Sequence, residues 1–438
     1  MDKIFGFFEK YFLPIAGKLG SQRHLVAIRD GFSVILPLIL VGSFAVLINN
    51  LPIPFFQHFM ANVFGSKWTD VGDFIWNGTF AVMAILVCVG VSYSLARSYN
   101  VDPLAAALVA FSSVIVVTPL TKDGGLSLNW LGAKGLFVVL IVTLIATESF
   151  RKLVQMKLTI KMPEGVPPAV ARSFAALIPG IIVLIFFGLV QVVFIDVIGK
   201  SLHEIIYTTI QKPFQHLSNT LVAVLIVEFA KSFLWFFGLH GSNILGPIID
   251  TMYLPPLQEN IKQFQEGVSA MDVPNIISTT FMDVYVAMGG TGTGITLLIA
   301  LFIISKSKQY KSLGKMAAPA ALFNINEPLI FGLPIVLNPV LFIPFILVPM
   351  VNVTIAYLAT AAGLVPKVVA LVPWTTPPII GGYLATGGSI AGSILQLVNI
   401  IVGILIYLPF VKILDRQATK VTTEDPNVIA NDNHTLNL

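Results

Sequence analysis

Long apolar runs separated by short polar or basic connectors make up most of this chain. Four runs, Phe74–Ala96, Pro103–Thr121, Ser173–Ile195 and Val284–Ser305, contain no charged residue. Each approaches or exceeds the ~20 residues a helix needs to cross the hydrocarbon of a bilayer. Strands of a membrane barrel would alternate in shorter segments. The pattern predicts helices near 31–52, 74–97, 103–121, 131–150 and 169–195, an interfacial helix over 197–218, and further helices near 219–238, 284–305, 336–362 and 390–411. The expected fold is an all-α integral membrane protein with about ten transmembrane helices and re-entrant hairpin segments.

Basic clusters orient these runs. Arg151, Lys152, Lys157 and Lys161 form one cluster, Lys306, Lys308, Lys311 and Lys315 a second, and Lys412, Arg416 and Lys420 follow the last apolar run. All are expected on the cytoplasmic side, with a cytoplasmic C-terminus. For Val284–Ser305 to end inside, one more crossing has to fall between 239 and 290, where HGSNILGP, YLPP and NIKQFQEG interrupt the apolar pattern. A short crossing beside a re-entrant piece is expected there. The division that follows is a scaffold domain over 1–196 with about five helices, the linker 197–218, a substrate domain over 219–412 and a tail over 413–438. At the N-terminus, Asp2, Lys3, Glu9, Lys10 and Lys18 are spaced through aromatic residues. That spacing suits an amphipathic helix on the membrane surface better than a signal peptide, which needs an uninterrupted apolar core.

The sharpest break in the pattern is FNINEPLIFG, Phe323 to Gly332. From Met316 to Val411 the chain carries two charges, Glu327 and Lys367. A carboxylate this deep in an apolar segment costs roughly 2.5–3.5 kcal/mol on insertion scales, so it needs partners and usually a function. Asn324 and Asn326 supply donors, while Pro328 removes a backbone donor and disfavours α geometry at Glu327. Irregular backbone at membrane depth survives where protein buries it or where it lines a cavity. NINEP therefore reads as a binding loop, against the alternative of a kinked helix whose Glu answers a basic neighbour.

Composition agrees with a membrane protein. Only 11% of the 438 residues are charged and 56% are hydrophobic, against roughly 25% charged in soluble domains. The formal charge of +4 sits in short clusters that act as topology signals, so no polynucleotide partner is implied. The single cysteine, Cys88, lies inside an apolar run, which excludes a disulfide framework or a cysteine metal site. No cofactor and no metal are implied.

A second constellation is FLWFFGLHGSN, Phe233 to Asn243. His240 among aromatics, followed by Gly241, Ser242 and Asn243, reads either as a polar pocket wall or as a ring satisfied by a backbone carbonyl in a packed bend. HGSNILGP and NEPLIFGLP share an outline, and paired interrupted segments of this kind point to a transporter's midplane site. Glu228 and Lys231, at i and i+3, are expected to pair with each other. Asp283 reads equally as a helix-start residue and as a functional one, and Arg29 and Asp30 flank the first span. Trp374 and Tyr383 sit in a segment broken by Pro373, Pro377, Pro378, Gly387 and Gly388. They suit either the membrane interface or the flat face of a sugar ring. The glycines of AMGGTGTGI, Gly289 to Gly294, serve close packing or line a site. A nucleotide loop is excluded because no βαβ unit surrounds them.

At HGSN, NINEP and KMPEGVPPAVARSFAALIPG (Lys161–Gly180), the sequence resembles enzyme IIC, the membrane component of the bacterial phosphoenolpyruvate-dependent sugar phosphotransferase system, in its lactose/cellobiose/diacetylchitobiose branch. The resemblance runs over about the whole chain. It implies a bacterial cell-membrane permease, a homodimer formed through the N-terminal domain, and a C-terminal sugar-binding domain with re-entrant hairpins. It implies that Glu327 and His240 bind sugar, with Trp374 as a stacking or lining residue; Asn326 and Asn243 join them as candidate site residues from their places in NINEP and HGSN. It also implies that a separate enzyme IIB, charged from enzyme IIA and the phosphocarrier protein, phosphorylates the sugar, so this chain carries no phosphoryl group and has no catalytic residue. The rival reading is an ion-coupled secondary sugar transporter with Glu327 or Asp283 as the ion site. An intramembrane hydrolase using His240 lacks HExxH, GxSxG or paired acids.

Overall fold

The structure, a computed structural model, describes residues 14, 18, 20–50, 53–163, 165–333 and 335–424. Most of the expected N-terminal surface helix, Glu164 of the KMPEGVPP stretch and the tail beyond 424 lie outside the described residues. The regular elements among them are all helices, without a strand; Leu120 and Leu126 form an isolated bridge. Among the described residues six helices are long and apolar enough to cross a membrane, and Pro103–Val117 and Gly294–Ile304 are shorter apolar helices. By contacts the chain divides into two units, one of Met1–Thr220, Ser242–Thr279 and Val368–Leu371, the other of Leu221–Gly241, Thr280–Lys367 and Val372–Leu438.

The first unit begins with α1 (Arg23–Asn49), whose start is capped by the Gln22 side chain accepting the Leu25 N–H. After α2 (Pro54–Phe64) and α3 (Asp70–Gly78), α4 (Met83–Ser98) packs along α1. Glycine allows that approach: a Cβ at Gly31 would lie 2.4 Å from Val91 Cγ2, and one at Gly90 would lie 3.0 Å from the Gly31 Cα. Small residues at a crossing let two backbones come together where no hydrophobic drive separates helix from lipid. Helix α5 (Pro103–Val117) opens with Pro103 at its first position and Asp102 accepting the Leu104 and Ala105 N–H groups. That is an N-cap with its proline in the place where a missing N–H costs nothing. The helix ends at Val117 rather than near 121, and the Thr118 hydroxyl turns back to the Val114 carbonyl.

Helix α6 (Leu136–Gln155) packs on α4 and α5, and α7 (Pro168–Val192) packs on α5 and α6. The span containing α7, Val170–Ile198, is strongly apolar, yet only 11% of its most apolar 18-residue stretch is buried. Over 197–218, expected as an interfacial helix, the chain forms α8 (Leu202–Ile206), a π-turn at Tyr207–Gln211 and α9 (Lys212–Ser218). His203 is fully buried with its ring edge-on to Trp130, and burial pushes its imidazole down to about 4. Within 239–290, expected to be irregular, residues 241–265 form the 25-residue helix α11 (Gly241–Gln265) with Pro247, Pro255 and Pro256 inside it, while 266–278 are turns and irregular chain. The polar patch NIKQFQ is thus helical, and α11 is not among the six spans. Asn260 bonds the Asn275 backbone at both its N–H and its carbonyl and donates to the Val368 carbonyl. The Ser43 hydroxyl accepts the Leu371 N–H, so residues 368–371 belong to this unit.

In the second unit α10 (Leu221–Phe236) packs on α16 (Pro339–Ala361), which packs on α18 (Ile390–Glu424). Between them in sequence come α12 (Thr279–Tyr285), α13 (Gly294–Ile304), α14 (Lys308–Leu322), α15 (Glu327–Gly332) and α17 (Ile380–Ala385). Helix α13 lies against α18 and α14, and α17 lies against α18. Asp415 of α18 accepts the Ser305 hydroxyl and the N–H groups of Lys306 and Ser307, tying the turn that starts α14. Inside α10, Lys231 donates to Glu228 at 2.8 Å, with side chains 8% and 2% exposed. The pairing expected from their spacing is present, and Asp283 stands within electrostatic reach of both.

Candidate functional site

The NINEP break sits where α14 ends. Pro328 occupies the first turn of α15, and Asn324 adopts a left-handed conformation with φ of 62°. Asn is among the few side chains that tolerate this region. The amide of Asn324 is also the tie point of the site: Oδ1 accepts the Gly289 N–H at 2.7 Å, and Nδ2 donates to the carbonyls of Trp374 at 2.6 Å and Thr376 at 2.9 Å. One buried side chain therefore joins the glycine run, the NINEP loop and the proline-broken segment. Asn326, 4% exposed, donates to the Thr291 carbonyl at 3.0 Å. A Cβ at Gly290, where φ is 86°, would lie 2.4 Å from Asn326 Cγ. Of the two roles weighed for the glycine run, close packing is present at this residue, which lets the loop approach NINEP and takes a backbone conformation that other side chains rarely adopt.

Glu327 follows this fixed loop and meets His240, which follows α10. Nε2 of His240 lies 3.8 Å from Oε1 of Glu327, with side chains 39% and 46% exposed. That spacing exceeds a hydrogen bond but lets both groups converge on one ligand hydroxyl. The His240 ring packs on Trp235, centroids 4.3 Å apart, and the Leu337 N–H donates to the Phe236 carbonyl, bracing the end of α10. Trp374 is 49% exposed while its carbonyl is held by Asn324. Asn243, exposed in the first turn of α11, clusters with the first unit.

Sequence reasoning passed over Gln396. Its Oε1 accepts the N–H groups of Ile379 and Gly382, and its Nε2 donates to the Val284 carbonyl. Ile379 has φ of 77°, a strained conformation for a β-branched residue, and Ser393 bonds its carbonyl as well. One turn on, Asn399 donates to the carbonyls of Tyr285 and Asn352. The signal was a Gln and an Asn three residues apart in the otherwise apolar stretch 394–411, where unpaired amides would be costly. Among the described residues no cluster of three or more His, Cys, Asp or Glu could hold a metal.

Comparison with known proteins gives consistent relatives. The family described as "Phosphotransferase system, EIIC" matches residues 29–349. The chain is 41% identical to the lichenan permease IIC component of Bacillus subtilis (strain 168), over 96% of this chain and 95% of that protein. It is 40% identical to the cellobiose-specific EIIC component of Geobacillus stearothermophilus, over 98% of each. The crystal structure of ChbC, the IIC component of the N,N'-diacetylchitobiose-specific system, superposes with a TM-score of 0.91 at 41% identity, covering 95% of this chain and 99% of that one. With near-complete coverage in both directions and the expected all-helical architecture, the chain belongs to the phosphotransferase system EIIC family, the membrane permease components of that system.

Proposed function

We propose that this permease binds a β-linked disaccharide, cellobiose, diacetylchitobiose or lactose, at Glu327 and His240 and carries it across the membrane to be phosphorylated by a separate enzyme IIB, itself charged from enzyme IIA and the phosphocarrier protein. The observation that carries this reading is the convergence of a carboxylate and an imidazole at 3.8 Å beside two backbone breaks. A carboxylate accepts from adjacent hydroxyls, and charge-assisted bonds of this kind are about twice as strong as neutral ones. The half-exposed Trp374 ring offers a flat face to a pyranose. Asn326 lines the loop behind Glu327, and Asn243 is assigned to the ligand by its position three residues after His240 in the chain.

The wider reading is a homodimer in the bacterial cytoplasmic membrane with about ten crossings and a cytoplasmic C-terminus. Residues 1–196 form the dimerisation domain, 197–218 the linker and 219–412 the transport domain. The uncovered apolar surface of α7 supports a face turned to lipid or to the second copy, and the lysine clusters support the orientation. The direct test is Glu327→Gln. It keeps shape but turns one acceptor oxygen into a donor, and loss of one charge-assisted bond costs about 1.5–3 kcal/mol, roughly ten- to a hundredfold in affinity. Equilibrium binding to the purified full chain should show that loss with an unchanged melting temperature. Parent-like binding by well-folded Glu327→Gln protein would overturn the assignment.

A further inference from the structure

The first unit contains a cavity of about 390 Å³ formed by the end of α3, the turn Leu128–Lys134, the 207–215 stretch and the 255–262 part of α11. Its frame is tied from behind. Gln258, 5% exposed, accepts the Ala133 N–H and donates to the Phe80 carbonyl, while Gln211 donates to the Ala133 carbonyl at 2.8 Å. A Cβ at Gly132 would lie 3.1 Å from both Ala81 O and Gln258 Nε2, so the wall is closely packed there. Exposed around the opening are Asn77, Asn129, Lys134, Glu259 and Lys262, with the Tyr207 ring half-buried among them. The Lys134 ammonium lies over that ring, 5.0 Å from its centroid, and Glu259 accepts from Asn275 at 2.9 Å.

The volume falls within the ~300–1,000 Å³ of small-molecule sites. The lining mixes donors, acceptors and an aromatic face. A hydrocarbon would leave the amides and charges without partners, and a compact anion would face Glu259. A hydroxyl-rich neutral molecule satisfies both kinds of group and uses the ring as an apolar wall.

The cavity's position in the unit supplies the second argument. It adjoins the starts of α4 and α6, at residues 76–81 and 128–134. The other ends of these helices carry a basic assembly: the guanidinium groups of Arg23 and Arg151 lie over the Tyr99 ring, 4.5 and 4.3 Å from its centroid, and Arg151 pairs with Glu148. Helices of 16 and 20 residues separate those ends by about 25–30 Å. With the basic end cytoplasmic, the cavity opens on the outer side of the membrane.

We infer that this cavity is an outer capture site for the incoming β-linked sugar, separate from Glu327 and His240; the inference rests on the sugar-transport reading above. The test uses the full chain in intact cells with Cys88→Ala and a reporter cysteine, Asn129→Cys or, as a second position, Asn77→Cys. A bulky membrane-impermeant maleimide should label either reporter from outside. Cellobiose, diacetylchitobiose or lactose should slow labelling at least threefold, and should still do so when Glu327→Gln is added. Labelling only after permeabilisation, or a rate unaffected by all three sugars, would overturn the capture site. Binding of the sugars to the purified parent separates the two readings. A parent that binds sugar without protecting either reporter loses the outer site alone, whereas a parent that binds none loses the transport reading as well.

Discussion

In the first unit, helices meet through glycine, as at Gly31 against Val91, and amide side chains such as Asn260 and Gln258 tie the connections between helices. In the second, amides hold the interior itself together. Asn324, Asn326, Gln396 and Asn399 bond the backbone of segments far away in sequence, and a charged pair lies buried in α10. The difference shows what a broken membrane helix requires. Continuous helices satisfy their own backbone and need only close packing, whereas each break frees N–H and C=O groups that other side chains have to satisfy. The unit that holds Glu327 and His240 is the one built this way.

The comparison breaks most visibly at Lys231. Lys231→Met leaves Glu228 buried without its cation, and removing one partner of such a pair costs about 3–5 kcal/mol. Thermal unfolding in detergent should show a large drop for the single variant and a much smaller one for Glu228→Gln combined with Lys231→Met. Equal losses would show that shape, rather than charge, is what α10 needs.

In the first unit, His203 should produce a pH effect of about 3 kcal/mol at most. Its folded value is lowered to about 4 by burial, so the unfolded chain binds the proton more readily between there and ~6.5. Stability from this group is complete above ~6.5 and is lost as pH falls toward 4. The melting temperature of the parent should decline across that window, and His203→Phe, which can still pack on Trp130, should flatten the decline.

Asn324→Ala should cost roughly 1–3 kcal/mol for the buried backbone groups it leaves unpaired, and sugar binding should weaken with it. Asn324→Gly relieves the left-handed backbone but restores no bond. If glycine recovers binding, conformation rather than stitching positions Glu327. The smallest effect is expected at Arg172, whose contact with Asp102 is 3.7 Å long and solvent-exposed. Arg172→Ala should change stability by about 0–1 kcal/mol, and a larger loss would mean that first-unit helices also rely on ionic ties.

Helix class and the two motif regions were legible in the sequence because their signals are local. Of the four uncharged runs, 74–96 and 173–195 fall within helices long enough to cross a membrane, whereas 103–121 forms the 15-residue α5 and 284–305 is interrupted by the glycine run before the 11-residue α13. A lone Glu beside proline in such a run marks a break. The spacing of Glu228 and Lys231 likewise announced their pairing. Of the stretch 239–290, expected to be irregular, 266–278 is so, but over 241–265, where three prolines and a polar patch suggested irregular chain, a continuous helix formed. Helices in a membrane protein tolerate proline when neighbouring groups take up the freed carbonyls, and sequence cannot show those neighbours. Only the tertiary structure brought His240 to Glu327 across 87 positions, made Asn324 a tie among three segments and gave Gln396 the strained backbone at Ile379. Each depends on long-range placement, where a side chain's partners are fixed by folding rather than by spacing along the chain.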